Sequence, residues 1–229
     1  QTDGVNAIIQ RFWDFGDATN STINNPSHPY LTPGSYTVKY SYITDVGCIA
    51  DTVSKIVTVS PLPTATISGD LQVCLNAALP NVTFTGAIGM APYTFTYNIN
   101  GGANQTITTV SGNSVTVSAP TNMPGTFVYN LVSIADASPA VCAQPQTGSV
   151  TIQVNPLPTA TISGTFSICK NGAPPNITFT AAGGAVAPYT FTYNINGGPN
   201  QTVSTVSGNS VTVAVPTSVA GTFTYNLLN

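Results

Sequence analysis

The chain has 229 residues, and only 5% of them are charged, which leaves a net charge of −3. Soluble domains carry charges at about a quarter of their positions, so this composition excludes charge-driven disorder, and the four scattered cations, Arg11, Lys39, Lys55 and Lys170, exclude a basic surface for nucleic acid. No apolar run approaches the roughly 20 residues that span a bilayer, so we expect no membrane insertion of this segment.

The first 60 residues contain a dense aromatic motif that is followed by two predicted strands. The motif is the run Phe12-Trp13-Asp14-Phe15-Gly16-Asp17, and after it come His28-Pro29-Tyr30 and Pro33-Gly34-Ser35-Tyr36-Thr37-Val38. The apolar strand Ile56-Val57-Thr58-Val59 closes the region. The combination strongly resembles the PKD (polycystic kidney disease) domain, whose pattern is a WDFGDG core, a histidine and a tyrosine, a PGxYxV strand and a closing apolar strand.

The resemblance implies structural roles for the motif residues. Trp13 is expected to fill the core of a sandwich, and Asp14 and Asp17 are expected to cap a turn through backbone amides. Ala18 stands where the family has a glycine, so the type of this turn stays open. The first strand of such a domain is missing before Val5, so we expect Gln1 to lie inside a domain. The motif residues with implied structural roles are Trp13, Asp14, Phe15, Gly16, Asp17, Tyr30, Gly34 and Tyr36.

Five aspartates of this region raise an alternative to purely structural roles. They are Asp3, Asp14, Asp17, Asp45 and Asp51. Paired carboxylates serve acid and base chemistry or bind calcium, and some relatives of this fold hold calcium. We expect no cofactor, with a calcium ion in residues 1–60 as the alternative.

The rest of the chain is an internal repeat. Pro61–Gly69, which reads PLPTATISG, returns unchanged as Pro156–Gly164, 95 positions later. Ala91–Val117 returns as Ala187–Val213 with three substitutions, 96 positions later. Repeats this similar imply recent duplication of a module that folds by itself.

The pattern inside each repeat has a period of two. Thr94–Ile99 and Asn113–Val117 alternate apolar side chains with Thr, Ser or Asn, and glycine-containing turns such as Asn100-Gly101-Gly102 separate such strands. No sustained helical stripe is present. The sequence therefore predicts an all-β fold of tandem immunoglobulin-like (PKD-type) β-sandwiches arranged end to end.

Proline-rich joints mark the predicted domain boundaries. Ser60-Pro61-Leu62-Pro63 and Asn155-Pro156-Leu157-Pro158 favour a stiff, extended backbone, which would give a semi-rigid rod. These prolines can equally begin the edge strand of the next sandwich, and the two interpretations are compatible. We predict a PKD domain in residues 1–60, a repeat in 61–155 and its second copy in 156–229.

The four cysteines lie too far apart for the short paired spacings of zinc sites. We interpret them as disulfides of an oxidising compartment, with buried free thiols as the alternative. Cys74 follows the opening strand of the second domain and Cys142 precedes its closing strand, so we predict that these two pair. Cys169 is the counterpart of Cys74, and we expect Cys169 and Cys48 to pair with residues outside this sequence.

The residue types that most enzymes need are scarce. The chain contains no Glu and a single histidine, His28, and no Gly-rich phosphate loop or nucleophile turn is present. The sequence therefore predicts that this segment is not an enzyme. Asp51-Thr52-Val53 resembles the short O-glycosylation signal of Bacteroidota, which makes Thr52 a candidate for modification.

The two repeats are similar to PKD-like modules of giant surface proteins in gliding and biofilm-forming Bacteroidota, which are exported by type IX secretion. The PLPTATISG opening and the cysteine placement carry this resemblance. It implies an extracellular, cell-surface adhesin segment, in which each sandwich adds about 30–40 Å of reach. Expected partners are surface glycans or other cell-surface material. Because few charged residues are available to prevent edge strands from pairing with another chain, we also expect self-association into bundles or filaments.

Two alternatives stay open at this point. One is a spacer or carbohydrate-binding module of a secreted glycan-degrading enzyme, for which Tyr93 and Tyr189 are the best candidates for exposed aromatic contacts. The other is an assembly subunit that polymerises through donated strands, which requires a detachable terminal strand.

Overall fold

The computed structural model describes residues 6–184 and 187–229, and within them the chain forms nineteen β-strands and no helix. The predicted fold class, all-β with tandem immunoglobulin-like sandwiches, is confirmed. In the described part there is accordingly no helix long and apolar enough to cross a membrane. Asp3 and Val5, which entered the sequence analysis, lie outside the described residues.

The chain divides into two compact units. One comprises residues 1–68, 83–116 and 129–149, and the other comprises 69–82, 117–128 and 150–229. The residues of the predicted second domain are thus shared between the two units. The boundaries at residues 60 and 155 stay a prediction.

The first domain forms one antiparallel sheet. Its strands are β1 (Ile8–Asp14), β2 (Asn20–Ser21), β3 (Gly34–Thr44) and β4 (Val53–Val59). Their order is β2-β1-β3-β4. The alternation of tyrosine and valine with polar residues in β3 puts every second side chain on the better-buried face. In the register of β1 on β3, Trp13 lies opposite Tyr40.

The first copy of the repeat contributes nine strands, most of them short. They are β5 (Thr64–Ser68), β6 (Leu71–Cys74), β7 (Asn81–Ala87), β8 (Thr94–Ile99), β9 (Gln105–Thr108), β10 (Ser114–Ser118), β11 (Gly125–Ala135), β12 (Ala143–Pro145) and β13 (Ser149–Asn155). Strand β5 pairs with β7, β8 pairs with both β9 and β11, and β11 pairs with β12, all antiparallel. Strands β6 and β13 pair in parallel. Phe84 of β7 packs against the rings of Phe95 and Tyr97, at centroid distances of 5.7 and 5.0 Å.

The second copy of the repeat is a two-sheet sandwich. Its strands are β14 (Thr159–Ser163), β15 (Asn176–Ala182), β16 (Thr190–Ile195), β17 (Gln201–Ser204), β18 (Ser210–Ala214) and β19 (Tyr225–Leu227). One sheet has the order β14-β15-β18 and the other β17-β16-β19. Inward side chains of β15 and β16 form a common core of Ile177, Phe179, Ala181, Phe191 and Tyr193.

The prolines before each repeat lead directly into its first strand. Strand β5 begins one residue after Pro63, and β14 begins one residue after Pro158. Pro63 is fully buried, and its carbonyl oxygen accepts a hydrogen bond from the Gln144 side chain. The joint is therefore part of the entry to the sandwich, as the second interpretation of these prolines predicts. The semi-rigid rod stays a prediction.

Candidate functional site

Asp17 is the centre of the polar network in the first domain. Its Oδ1 accepts hydrogen bonds from the amide of Thr19 (3.1 Å) and from the Thr19 hydroxyl (2.6 Å). Its Oδ2 lies 2.7 Å from Nε2 of His28. The Thr19 hydroxyl above all, and then His28, lower the pKa of Asp17 to about 2, against an opposing effect of burial. Asp17 thus ties the end of β1 to the segment that carries His28.

A stack of aromatic rings continues from this network. The His28 ring is stacked on Phe15 at a centroid distance of 4.2 Å and meets the edge of Tyr30 at 4.8 Å. Tyr30 in turn stacks on Tyr36 at 4.2 Å, and its hydroxyl donates to the carbonyl of Phe15 (2.9 Å). Burial raises the pKa of the Tyr30 hydroxyl. The motif residues Phe15, Tyr30 and Tyr36 are therefore packed together as one structural cluster.

The turn after β1 is held by a carboxylate and by unusual backbone angles. Asp14 Oδ1 accepts a hydrogen bond from the amide of Gly16 (2.9 Å). Gly16 has a φ of 78°, and a Cβ there would lie 2.8 Å from the backbone nitrogen and oxygen of Thr37. Ala18 also adopts a positive φ, of 68°, which is unfavourable for any residue with a Cβ. The alanine thus occupies a left-handed position for which glycine is better suited.

Trp13 is half-buried and lies beside Tyr40, with ring centroids 4.4 Å apart. Its indole nitrogen is buried and has no hydrogen-bond partner among the described residues. Both rings line a cavity of about 330 Å³ whose wall also includes Lys39, Asp14 and Thr52. This cavity combines aromatic surface with charged and hydroxyl groups, which is the composition of many sites for polar ligands.

The geometry around His28 does not form a catalytic triad. Both Asp17 Oδ2 (2.7 Å) and the Thr19 hydroxyl (3.4 Å) approach the same ring atom, Nε2. A triad needs the carboxylate on one ring nitrogen and the nucleophile on the other, so that a proton can be relayed across the ring. His28 therefore cannot serve as the base of such a triad in this arrangement.

The calcium alternative for the first domain stays a prediction. Across residues 6–184 and 187–229, no three or more His, Cys, Asp or Glu side chains come together as a metal site would require. Asp17 is already engaged by Thr19 and His28, and Asp14 by Gly16. Calcium takes six to eight oxygen ligands, typically including several carboxylates, so these two aspartates alone do not fit it.

All four cysteines are free thiols in the structure, and the predicted bridge between Cys74 and Cys142 is absent from it. Cys142 is half-buried, and the other three are exposed. The pairing of Cys74 with Cys142, and of Cys48 and Cys169 with residues outside this sequence, stays a prediction. Thr52, the candidate for O-glycosylation, is exposed in the segment just before β4, and its modification also stays a prediction.

The two tyrosines proposed as exposed aromatic contacts are not exposed. Tyr93 is only 3% accessible, and Tyr189 is half-buried. The amide of each donates to a threonine hydroxyl, Thr109 or Thr205, at 2.9 Å in both copies. Each tyrosine directly precedes a core strand, β8 or β16, and neither side chain is exposed, so the expectation of exposed aromatic contacts for glycans at these positions is wrong.

Asp136 is a buried carboxylate that the sequence patterns did not single out. The residue is 5% accessible; Oδ1 accepts from the hydroxyl and amide of Ser138 and from the amide of Cys142, and Oδ2 accepts from the amide of Met90. Burial acts to raise the pKa of Asp136, but these hydrogen bonds outweigh it, so the pKa lies below its ordinary value. The Asp-x-Ser spacing is the signal that would have found this turn.

Comparison with protein families identifies the first domain. A family model described as PKD domain matches residues 1–59, about a quarter of the chain. The resemblance of this region to the PKD domain is thereby confirmed. None of the curated proteins is similar enough to the chain to match it.

Several solved structures are distantly similar to the chain. One of them comes from work on host cell surface retention of a 1.5-MDa bacterial ice-binding adhesin. It is 16% identical to this chain and has a TM-score of 0.44, and the match covers 91% of this chain and 75% of that chain. A Ca²⁺-stabilized adhesin with which an Antarctic bacterium binds ice is 17% identical, with a TM-score of 0.41 and coverages of 97% and 64%. A tetra-tandem repeat from the extending region of a large adhesion protein is 15% identical, with a TM-score of 0.31 and coverages of 96% and 66%. At these values the likenesses carry no argument about function.

Proposed function

We propose that the chain is a non-catalytic, extracellular repeat segment of a long surface adhesin or filament, which provides reach and adhesion in gliding motility or biofilm attachment. The observation that carries this proposal is that two copies of one module share the register of their first strand pair. Thr66 lies opposite Thr85 in the first copy, and Thr161 lies opposite Thr180 in the second. A module duplicated with its strand register intact is typical of proteins that build length by stacking repeats.

The surface chemistry of the repeats supports the same role. In the second copy, Thr161, Thr180 and Ser210 form a row of hydroxyls across three strands, and the Thr180 and Ser210 hydroxyls are 3.1 Å apart. The first copy contains the same contact between Thr85 and Ser114, at 2.9 Å. Hydroxyls that bond to each other keep the sheet polar without charges, so we expect the segment to be insensitive to salt.

Cellular location and export are part of the proposal. The resemblance of the repeats to surface proteins of Bacteroidota supports export by type IX secretion and display on the cell. Removal of residues 61–155 from the parent gene tests the role. We expect the shortened protein to reach the cell surface and attachment or gliding to decrease. In the matched control, a sandwich domain of similar length from a different protein replaces the deleted copy. Unchanged attachment together with loss of a secreted glycan-degrading activity would contradict the proposal.

A second candidate function is glycan binding in the first domain, in the context of a secreted glycan-degrading enzyme. The cavity beside Trp13 and Tyr40 favours it, because sugars pack on aromatic rings and bond to neighbouring polar groups. Calorimetry with extracellular polysaccharides tests it. Lys39 lines the cavity and Lys55 does not, so Lys39→Ala should weaken binding and the control Lys55→Ala should not. Absence of binding by the unaltered chain removes this candidate.

A further inference from the structure

Each repeat has a short strand at the edge of its first sheet. Strand β10 ends the order β10-β7-β5 in the first copy, and β18 ends the order β14-β15-β18 in the second. In residues 6–184 and 187–229, no strand pairs with the outer side of either one. The first copy also contains β11 and β13, and β10 is at the edge nevertheless. The open edge is therefore a property of the module.

The main-chain bonds of β18 to its neighbour use every second residue. The amide of Ala181 donates to the carbonyl oxygen of Asn209 (2.8 Å), and the amide of Val215 donates to that of Pro175 (2.9 Å). Main-chain groups of an antiparallel strand point alternately to its two sides, so the odd-numbered residues from 209 to 215 face β15. The amides and carbonyls that point away from the sheet belong to three exposed residues, Ser210, Thr212 and Ala214.

Strand β10 has the same arrangement in the first copy. The amide of Gly86 donates to the carbonyl oxygen of Asn113 (2.8 Å), and the amide of Ala119 donates to that of Pro80 (2.8 Å). The odd-numbered residues of this strand therefore face β7. The outward main-chain groups again belong to three exposed residues, Ser114, Thr116 and Ser118.

The opposite edge of this sheet is covered in the first copy. The amide of Ala65 in β5 donates to Oε1 of Gln146 at 3.1 Å, although the two residues are 81 positions apart. A strand that pairs with β5 has to displace this side chain. The contact makes β10 the better edge of the sheet for a partner strand.

No charged side chain protects β10 or β18. The sequence has no Asp, Glu, Lys or Arg in residues 71–135, and none in residues 171–229. Neither strand contains a proline. Natural edge strands are usually kept from pairing with other chains by lysine, proline or a bulge, so these two edges are open to a further strand.

The sequence of β10 reads the same in both directions. It is Ser-Val-Thr-Val-Ser, and β18 differs from it only in its last residue, Ala214. If two copies of such a strand pair antiparallel about a two-fold axis at the central threonine, equal or similar side chains lie opposite each other. Hydroxyls then meet on the exposed side, and half-buried valines meet on the side of the core. The strand is complementary to itself, which indicates a second copy of this chain as its partner.

We propose that β10 and β18 bind a second copy of this chain by pairing with the same strand of that copy. The pairing is antiparallel, with Thr116 opposite Thr116 of the second copy, or Thr212 opposite Thr212. Each outward residue exchanges both of its main-chain hydrogen bonds with the residue opposite, which joins two sheets into one. The proposal gives the expected self-association a strand, a register and a symmetry, and it does not rest on the adhesin role.

Hydrogen exchange of the full chain at increasing concentration is the direct test. Sedimentation equilibrium should show self-association that added salt does not weaken, because no charges take part. Where about nine tenths of the chain is associated, the outward amides of Thr116 and Thr212 should exchange about tenfold more slowly than in the monomer. The amides of Val115 and Val211 already face the neighbouring strand and should not change. A chain that stays monomeric, or that associates without this alternation, would overturn the proposal.

Charged residues at the two-fold positions test the register. A variant with Thr116→Lys and Thr212→Lys should be monomeric, because the pairing places lysine opposite lysine, and the variant with Thr116→Glu and Thr212→Glu should behave likewise. An equal mixture of the two variants should associate again, since lysine then lies opposite glutamate, and added salt should weaken this association. The matched control carries Thr66→Lys and Thr161→Lys, at exposed positions of the opposite edge strands β5 and β14, and should associate like the unaltered chain.

Circular dichroism and exchange of the core amides of Phe179 and Phe191 show whether each variant folds. If a charged variant does not fold, the alternation of amide exchange in the unaltered chain still decides. Association retained in the folded lysine variant, or no recovery in the mixture, would overturn the register. Association lost in the control would assign the contact to β5 and β14 and would overturn the proposal as well.

Discussion

The ring of Tyr93 lies directly against Gly86, so closely that a Cβ on Gly86 would approach the ring atom Cγ to 2.6 Å. The counterparts of these residues in the second copy are Ala181 and Tyr189. There the methyl group is present, and the tyrosine is half-buried where Tyr93 is almost completely buried. One methyl group thus accompanies a difference in tyrosine burial between the two copies of the module.

We expect Gly86→Ala to destabilise the chain by about 1–3 kcal/mol, because the added methyl overpacks a closed core against an aromatic ring. Urea unfolding followed by tyrosine fluorescence measures the change. The reciprocal control is Ala181→Gly, which removes the methyl in the other copy and should cost only about 0.5–1 kcal/mol through backbone entropy. A Gly86→Ala variant as stable as the parent would show that Tyr93 does not depend on this contact.

Ala18→Gly should stabilise the first domain by about 1 kcal/mol, since it relieves a left-handed backbone at a residue with a Cβ. Thermal unfolding of the full chain gives the measurement. Ala50→Gly is the control, because Ala50 does not have a positive φ. This change should lower stability by about 0.5 kcal/mol, since glycine gives the unfolded chain more conformational freedom. Loss of stability in both variants would contradict the interpretation of the turn.

Asp17 should make the first domain sensitive to acid. Its folded-state pKa of about 2 lies below its ordinary value of 3.8, so the ionised form favours the folded state. The resulting stabilisation is complete above about pH 4 and is lost as the pH falls toward 2. Melting temperatures between pH 2 and 6 should fall less steeply for Asp17→Asn than for the parent. Asp51→Asn is the exposed control, and a parental acid response in Asp17→Asn would contradict the role of this carboxylate.

Asp136→Ala should destabilise the chain by about 1–3 kcal/mol, because the amides of Met90, Ser138 and Cys142 lose a buried acceptor. In the reduced chain, the same change should speed labelling of the Cys142 thiol, since the hydrogen bonds to Asp136 no longer hold its segment in place. Labelling of the exposed Cys48 serves as the internal reference and should not change. Unchanged stability with unchanged Cys142 labelling would contradict this role.

Much of the fold follows from local patterns, but the distinctive contacts do not. The alternation in Thr94–Ile99 predicted the strand that became β8, because a period of two is a local property. The burial of Tyr93 escaped prediction because it depends on the missing side chain of Gly86, which lies seven residues earlier in β7. Asp136 escaped because its four hydrogen bonds join segments that are up to 46 residues apart.

In the candidate site, the sequence motif predicted where the residues of the first domain cluster, but not the hydrogen bonds and ring contacts that join them. Asp17 stood out from the sequence, whereas Thr19, which does most to lower its pKa, did not. Tyr40 likewise meets Trp13 only through the register of β1 on β3, and a register between strands so far apart in sequence is set by tertiary packing.

Electron cryomicroscopy of native surface material, labelled with an antibody fragment against residues 61–155, tests the central claim most directly. If the chain is part of a repeat adhesin, the label should decorate a thin thread attached to the cell, and the denatured parent polypeptide should be far longer than 229 residues. Label on a compact secreted particle that releases sugars from polysaccharide would contradict the adhesin role.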